Sequence, residues 1–133
     1  MEQWKEIMNA ANGAYQDGRD GEAEKLYQSA CQRVTQLLDQ WEDHEAAVAM
    51  LSVSNQNLAD LYFRQGRYDE ALSVYGSLLR HLKELSQTSG GHSLFAEPAL
   101  QKVGAELSQE VRARKLSLPE DNPDLQPVRE LIT

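Results

Sequence analysis

Apolar residues along this chain recur at steps of three and four. From Ala23 they run through Leu26, Tyr27, Ala30, Cys31, Val34, Leu37, Leu38 and Trp41. That spacing forms one face of a helix, so the pattern predicts a continuous helical stripe from Ala23 to Trp41. A shorter series precedes it, made of Trp4, Ile7, Met8, Ala11, Ala14 and Tyr15. Two more follow: Val48, Leu51, Asn55, Leu58, Leu61 and Tyr62, then Tyr68, Ala71, Leu72, Tyr75, Leu78, Leu79 and Leu82. No stretch alternates with the period of two that a half-buried strand requires. The expected class is therefore all-α.

Polar breaks at Asp17–Gly21 and at Gln65–Arg67 contain glycine and separate neighbouring apolar series. Short glycine-bearing breaks join antiparallel helices. Two hairpins follow, at about residues 3–42 and 45–86. The boundary between them, Asp39 to Glu45, has no Gly or Pro to mark it. Ser86 to Ser93 (SQTSGGHS) reads as a flexible loop that includes His92. A capping helix is expected at about 97–116, with Pro98 in its first turn, burying Leu100, Val103, Leu107 and Val111. Beyond it, residues 117–133 form an acidic, Pro-containing tail read as irregular. One domain of about residues 1–116 and this tail make up the chain.

The hairpins are copies of each other. At an offset of 48, the difference between Gly66 and Gly18, Arg19 meets Arg67, Glu22 meets Glu70, Ala23 meets Ala71, Tyr27 meets Tyr75 and Ser29 meets Ser77. The run NLADLYFRQGRYDEALSVY resembles a tetratricopeptide repeat (TPR), most closely the kinesin-light-chain-like subtype. The resemblance implies a short α-solenoid of stacked hairpins. In it Ala59 and Ala71 let the paired helices approach, Tyr62 and Tyr75 fill the wider space beside them, and Gly66 makes the turn. The first copy departs from the pattern at Ala14 and Asp20, where the second has Tyr62 and Tyr68. An offset of 48 exceeds the usual ~34-residue repeat by about two heptads, which lengthens the helices while keeping their apolar faces in phase.

The resemblance also implies a groove lined by the first helix of each hairpin, holding an extended peptide. Asn9, Asn12 and Gln16 form a polar stripe on the first such helix, and Asn57, Asp60 and Arg64 the equivalent stripe on the second. An asparagine side chain both donates to and accepts from a peptide backbone. Phe63 is placed partly toward the same face, free to pack on a partner's side chain, and Lys5 and Met8 extend the surface. A carboxylate clamp of the kind some family members carry would use Asn12 and Asn57, but Met8 stands where its lysine is expected. The plain alternative for these stripes is a solvated helix face.

Charge narrows the partner. The 133 residues hold 13 Lys and Arg against 21 Asp and Glu, a formal net charge of −8. Such a surface lacks the cations that nucleic-acid phosphates or anionic membranes require, and it favours a basic partner. A single cysteine, Cys31, excludes an intramolecular disulfide. The N-terminus has no basic start followed by an apolar run, so a cytoplasmic protein is expected.

Catalytic groups, cofactor motifs and metal ligands are not expected. There is no phosphate-binding glycine loop and no paired-cysteine spacing. His81 and Glu84 stand three apart on a helix without a second pair, and the polar cluster of Asp43, His44 and Glu45 suits helix capping. The expected function is a protein–protein interaction module: an adaptor, chaperone or regulator. The alternative is a self-associating assembly protein whose main contact is a homodimer, held through an apolar end around Trp41, Leu82 and Leu85 or through the tail.

Overall fold

The computed structural model describes residues 1–88, 90–126, 128 and 129. Among them are five α-helices and no strand: α1 (Glu2–Gln16), α2 (Asp20–Leu37), α3 (His44–Arg64), α4 (Tyr68–Ser86) and α5 (Ser93–Arg114). Short 3₁₀ turns cover Leu38–Gln40 and Pro123–Leu125. Each helix packs on the next in chain order, and α3 also touches α5.

Both glycine breaks close in the same way. Gly18 (φ +76°) and Gly66 (φ +75°) adopt left-handed backbone, which suits a residue without Cβ. Arg19 N–H reaches back to the Ala14 carbonyl at 2.8 Å, and Arg67 N–H to the Tyr62 carbonyl at 2.8 Å. These bonds satisfy helix-end carbonyls that would otherwise lack partners. Arg19 then pairs with Glu22, and Arg67 with Glu70. The duplication in sequence is thus a duplication in hydrogen bonding. A third copy of this closure ends α5, where Leu116 N–H bonds the Val111 carbonyl at 2.9 Å and Lys115 takes the left-handed position (φ 55°).

Inside the hairpins Ala11, Ala14, Ala23, Ala30, Ala59 and Ala71 are fully buried, and Tyr27, Tyr62 and Tyr75 nearly so. Small residues set close helix approach and aromatic rings fill the space beside it. Ala59→Leu is expected to overpack this layer and cost about 1–3 kcal/mol in urea unfolding.

Several boundaries differ from the sequence reading. The stripe from Ala23 does not remain one helix to Trp41. α2 ends at Leu37, a 3₁₀ turn follows, and Trp41 is extended. Without Gly or Pro, the break is made by the next helix start, where the Asp43 carboxylate accepts the Ala46 N–H at 3.0 Å. The fifth helix begins at Ser93, ahead of Pro98, which lies inside it. His92 is no loose loop residue. It is 7% exposed, its Nε2 lies 3.0 Å from the Leu38 carbonyl and 3.3 Å from His44 Nδ1, and it ties the starts of α3 and α5 to the end of α2. A Cβ on Gly91 would fall 2.2 Å from the His44 ring, so only glycine fits at this junction.

Leu82, expected at an exposed apolar end, is fully buried, while Trp41 and Leu85 pack half-buried against the core. The described part of the tail also joins the core. Leu118, Leu125 and Val128 are buried, and the second 3₁₀ turn lies on α4. Gly76 admits it there, since a Cβ would meet Asn122 Nδ2 at 3.1 Å. Pro127 and residues 130–133 of the expected tail lie outside the described residues.

A candidate peptide-binding groove between the third and fifth helices

The seven stripe residues do not form one surface. Asn9 and Gln16 are exposed on α1. Asn12 is engaged within its own hairpin, its Oδ1 accepting the Tyr27 hydroxyl at 2.6 Å. Arg64 donates to the Tyr15 carbonyl at 3.0 Å, pairs with Asp20, and lies 3.6 Å over the Tyr15 ring. It locks α3 to the first hairpin.

Phe63 faces inward, contrary to the sequence reading. It is 2% exposed, with Tyr68 and Tyr75 each at 6.3 Å between ring centroids and the Arg114 guanidinium 4.6 Å over its face. The reason is α5, whose C-terminal arginine covers the ring as Arg64 covers Tyr15. Met8 is also core, at 4% exposure, so it cannot extend a binding surface.

Asn57 and Asp60 do reach a groove. It runs along the seam between α3 and α5 as two adjoining depressions that share Val53 and Gln56. The lower, of about 290 Å³, brings Asn57, Asp60 and Tyr75 against Glu106, Gln109 and Glu110. The upper, of about 280 Å³, is walled by Val53, Phe95, Pro98 and Ala99, with Glu45 and Lys102 among its polar lining. The α5 wall was absent from the sequence reading, which treated that helix as a cap. The signal was present: at an offset of 49, the difference between Glu106 and Asn57, Asp60 falls on Gln109 and Ala59 on Ser108. In the structure α5 packs on both α3 and α4 and supplies the facing wall.

The two copies differ where it matters for the groove. Tyr27 spends its hydroxyl on Asn12, whereas Tyr75 hydrogen-bonds Gln56, whose amide also donates to Glu106. Asp60, in the position of Asn12, is left facing the groove. Its carboxyl is raised to about 6, first by desolvation and then by the charge of Glu110, with Glu106 adding and Arg114 opposing. Asp60 is exposed at its edge, yet the concave walls displace much of the water around it. Burial likewise raises the Tyr75 hydroxyl and Cys31 thiol, each to about 12.

A raised carboxyl binds more protons in the folded state than in the unfolded state, where it titrates near 3.9. Its charge therefore costs stability as pH rises from about 4 through 6. Asp60→Asn is expected to raise stability at pH 8 by less than about 1 kcal/mol, because solvent screens the charge, and so to raise the melting temperature slightly. The gain should vanish near pH 4. Thermal melts at both pH values check it, and an Asn variant less stable than wild type at pH 8 would contradict it.

A larger hollow, about 920 Å³, lies elsewhere, between α4, α5 and the tail. It has mixed charge, with Arg80, Lys83, Glu84, Glu97 and Asp124 on its walls, and no stripe residue enters it. We place the candidate site at the seam, where the chemistry converges, and not at the larger volume. His81 is lowered by burial against the opposing charge of Glu84, and no group of three or more His, Cys, Asp or Glu suited to a metal occurs among the described residues. No helix among them is long and apolar enough to cross a membrane.

Comparisons with curated proteins and with solved structures find no match. A protein-family profile described as "Protein of unknown function (DUF2753)" matches residues 2–111, which span α1 to α4 and nearly all of α5. The chain therefore belongs to the DUF2753 family.

Proposed function

We propose that this protein is a TPR-like interaction module that binds a peptide or protein segment along the seam between α3 and α5. The alternation of first and second helices and the repeated turn closures support a solenoid of this kind. The single observation that carries the binding reading is the place of Asp60, set against Glu106 and Glu110 in a groove half whose lining holds no base, where its carboxyl is raised. A group held in an unfavourable state inside a cleft is a mark of a functional site. A partner's cation would relieve that state, in keeping with the chain's acidity and with a basic partner.

The role is that of an adaptor, chaperone or regulator, without catalysis or a cofactor. Of the contact proposed for the homodimer alternative, Leu82 and the described apolar tail residues are occupied within the chain's own core, which leaves Trp41 and Leu85, both half-buried.

A peptide array probed with the wild-type chain and with the Asn57→Ala/Asp60→Ala variant tests the reading. Wild type should retain a subset of peptides that the variant loses, while the two melting temperatures agree within a few degrees. Equal retention by both chains would remove the seam as the site. A sedimentation run showing a stable dimer, with the seam blocked in it, would favour self-association instead.

A further inference from the structure

We propose that the seam selects a segment carrying apolar side chains about three residues from a Lys or Arg, the apolar part seated between Val53 and Phe95 and the cation over Asp60. The inference rests on the binding reading above and adds the class of partner.

The two halves of the groove differ in chemistry. Val53 is 43% exposed midway along α3, a position where an unpartnered aliphatic side chain gains nothing from water. Phe95, Pro98 and Ala99 face it from α5, and the one acid and one base of this half, Glu45 and Lys102, offset each other. Pro98 has no N–H to give the Leu94 carbonyl, which in an uninterrupted helix would bond residue 98.

The lower half is lined by Asp60, Glu106 and Glu110 without a base. The nearby cation, Arg114, is held by Glu110 at 2.8 Å and lies over Phe63. It is committed to Glu110 and to the Phe63 ring, and offsets the charge of Asp60 only in part. The lower half therefore complements a positive side chain, and the upper half an apolar one.

Spacing follows from helix geometry. Val53 and Asp60 are seven residues apart on α3, a rise of about 10 Å. An extended peptide covers that distance in about three residues. A partner whose apolar and basic residues lie side by side would fill one half and miss the other.

Fluorescence anisotropy with four labelled peptides tests this. The first is Gly-Ser-Leu-Val-Ser-Gly-Arg-Lys-Gly. In the second Leu-Val becomes Ser-Ser, in the third Arg-Lys becomes Ser-Ser, and in the fourth Arg-Lys becomes Glu-Glu. The first should bind at least about tenfold tighter than each of the others. Asp60→Asn should abolish its advantage over the third, and Val53→Ser its advantage over the second. Both substituted positions line the groove, and circular dichroism checks that each variant keeps the wild-type helix content.

Equal binding of the first and fourth peptides, or an advantage that survives both substitutions, would overturn the inference. If none of the four binds while the array retains peptides of other chemistry, the partner class proposed here is wrong and the interaction module stands. If the array is also empty, both readings fall.

Discussion

Tyr75→Ala is expected to lower stability by about 3–5 kcal/mol in urea unfolding. The ring is 3% exposed and stands 6.3 Å from Phe63 between centroids, at the meeting of α3 and α4. Removing it leaves a cavity that rigid helices on both sides cannot collapse. A domain of this size is stable by only ~5–15 kcal/mol, so much of the total is at stake. Tyr75→Phe separates the two parts of the residue. It keeps the ring and loses only the hydroxyl contact with Gln56, a change of about 1 kcal/mol. If Ala and Phe variants had similar midpoints, the ring would not be the keystone assigned to it.

Leu107→Ala is expected to cost about 2–5 kcal/mol and to act on the groove through its α5 wall. Leu107 is fully buried on α5, at the position that Leu58 holds on α3. It helps fasten the wall that carries Glu106 and Glu110. Hydrogen exchange should show α5 losing protection more than α1 and α2, because a cavity at its base lowers the cost of local opening. Peptide affinity should fall with it. Uniform loss of protection across all five helices would mean that α5 is not a separable wall.

Local patterns carried much of the architecture. The positions of Gly18 and Gly66, and the matched Arg, Glu, Ala and Tyr around them, were readable because a left-handed turn and a small-to-large packing order impose residue types at the site itself. Asn57 and Asp60 were legible because polar residues spaced three and four apart recur at the same places in the two first helices. Phe63 was misplaced for a related reason. Periodicity separates one face from the other, but α3 meets α4 on one side and α5 on another, and its apolar surface is correspondingly broad. Glu106 and Glu110 were passed over because α5 lacks the aromatic pattern of the first two copies, although its turn closure repeats theirs.

The sequence by itself determined the helices, their two glycine turns and the duplication, since each depends on contacts within a few residues or on spacing along one helix. Only the tertiary structure decided that Arg114 covers Phe63, that His92 is buried beneath His44, that Leu118, Leu125 and Val128 fold back into the core, and that Asp60 faces a second acidic wall. Those outcomes depend on which surfaces of distant segments come together. That is set by how α5 docks across the end of the second hairpin, and no local pattern of side chains encodes it.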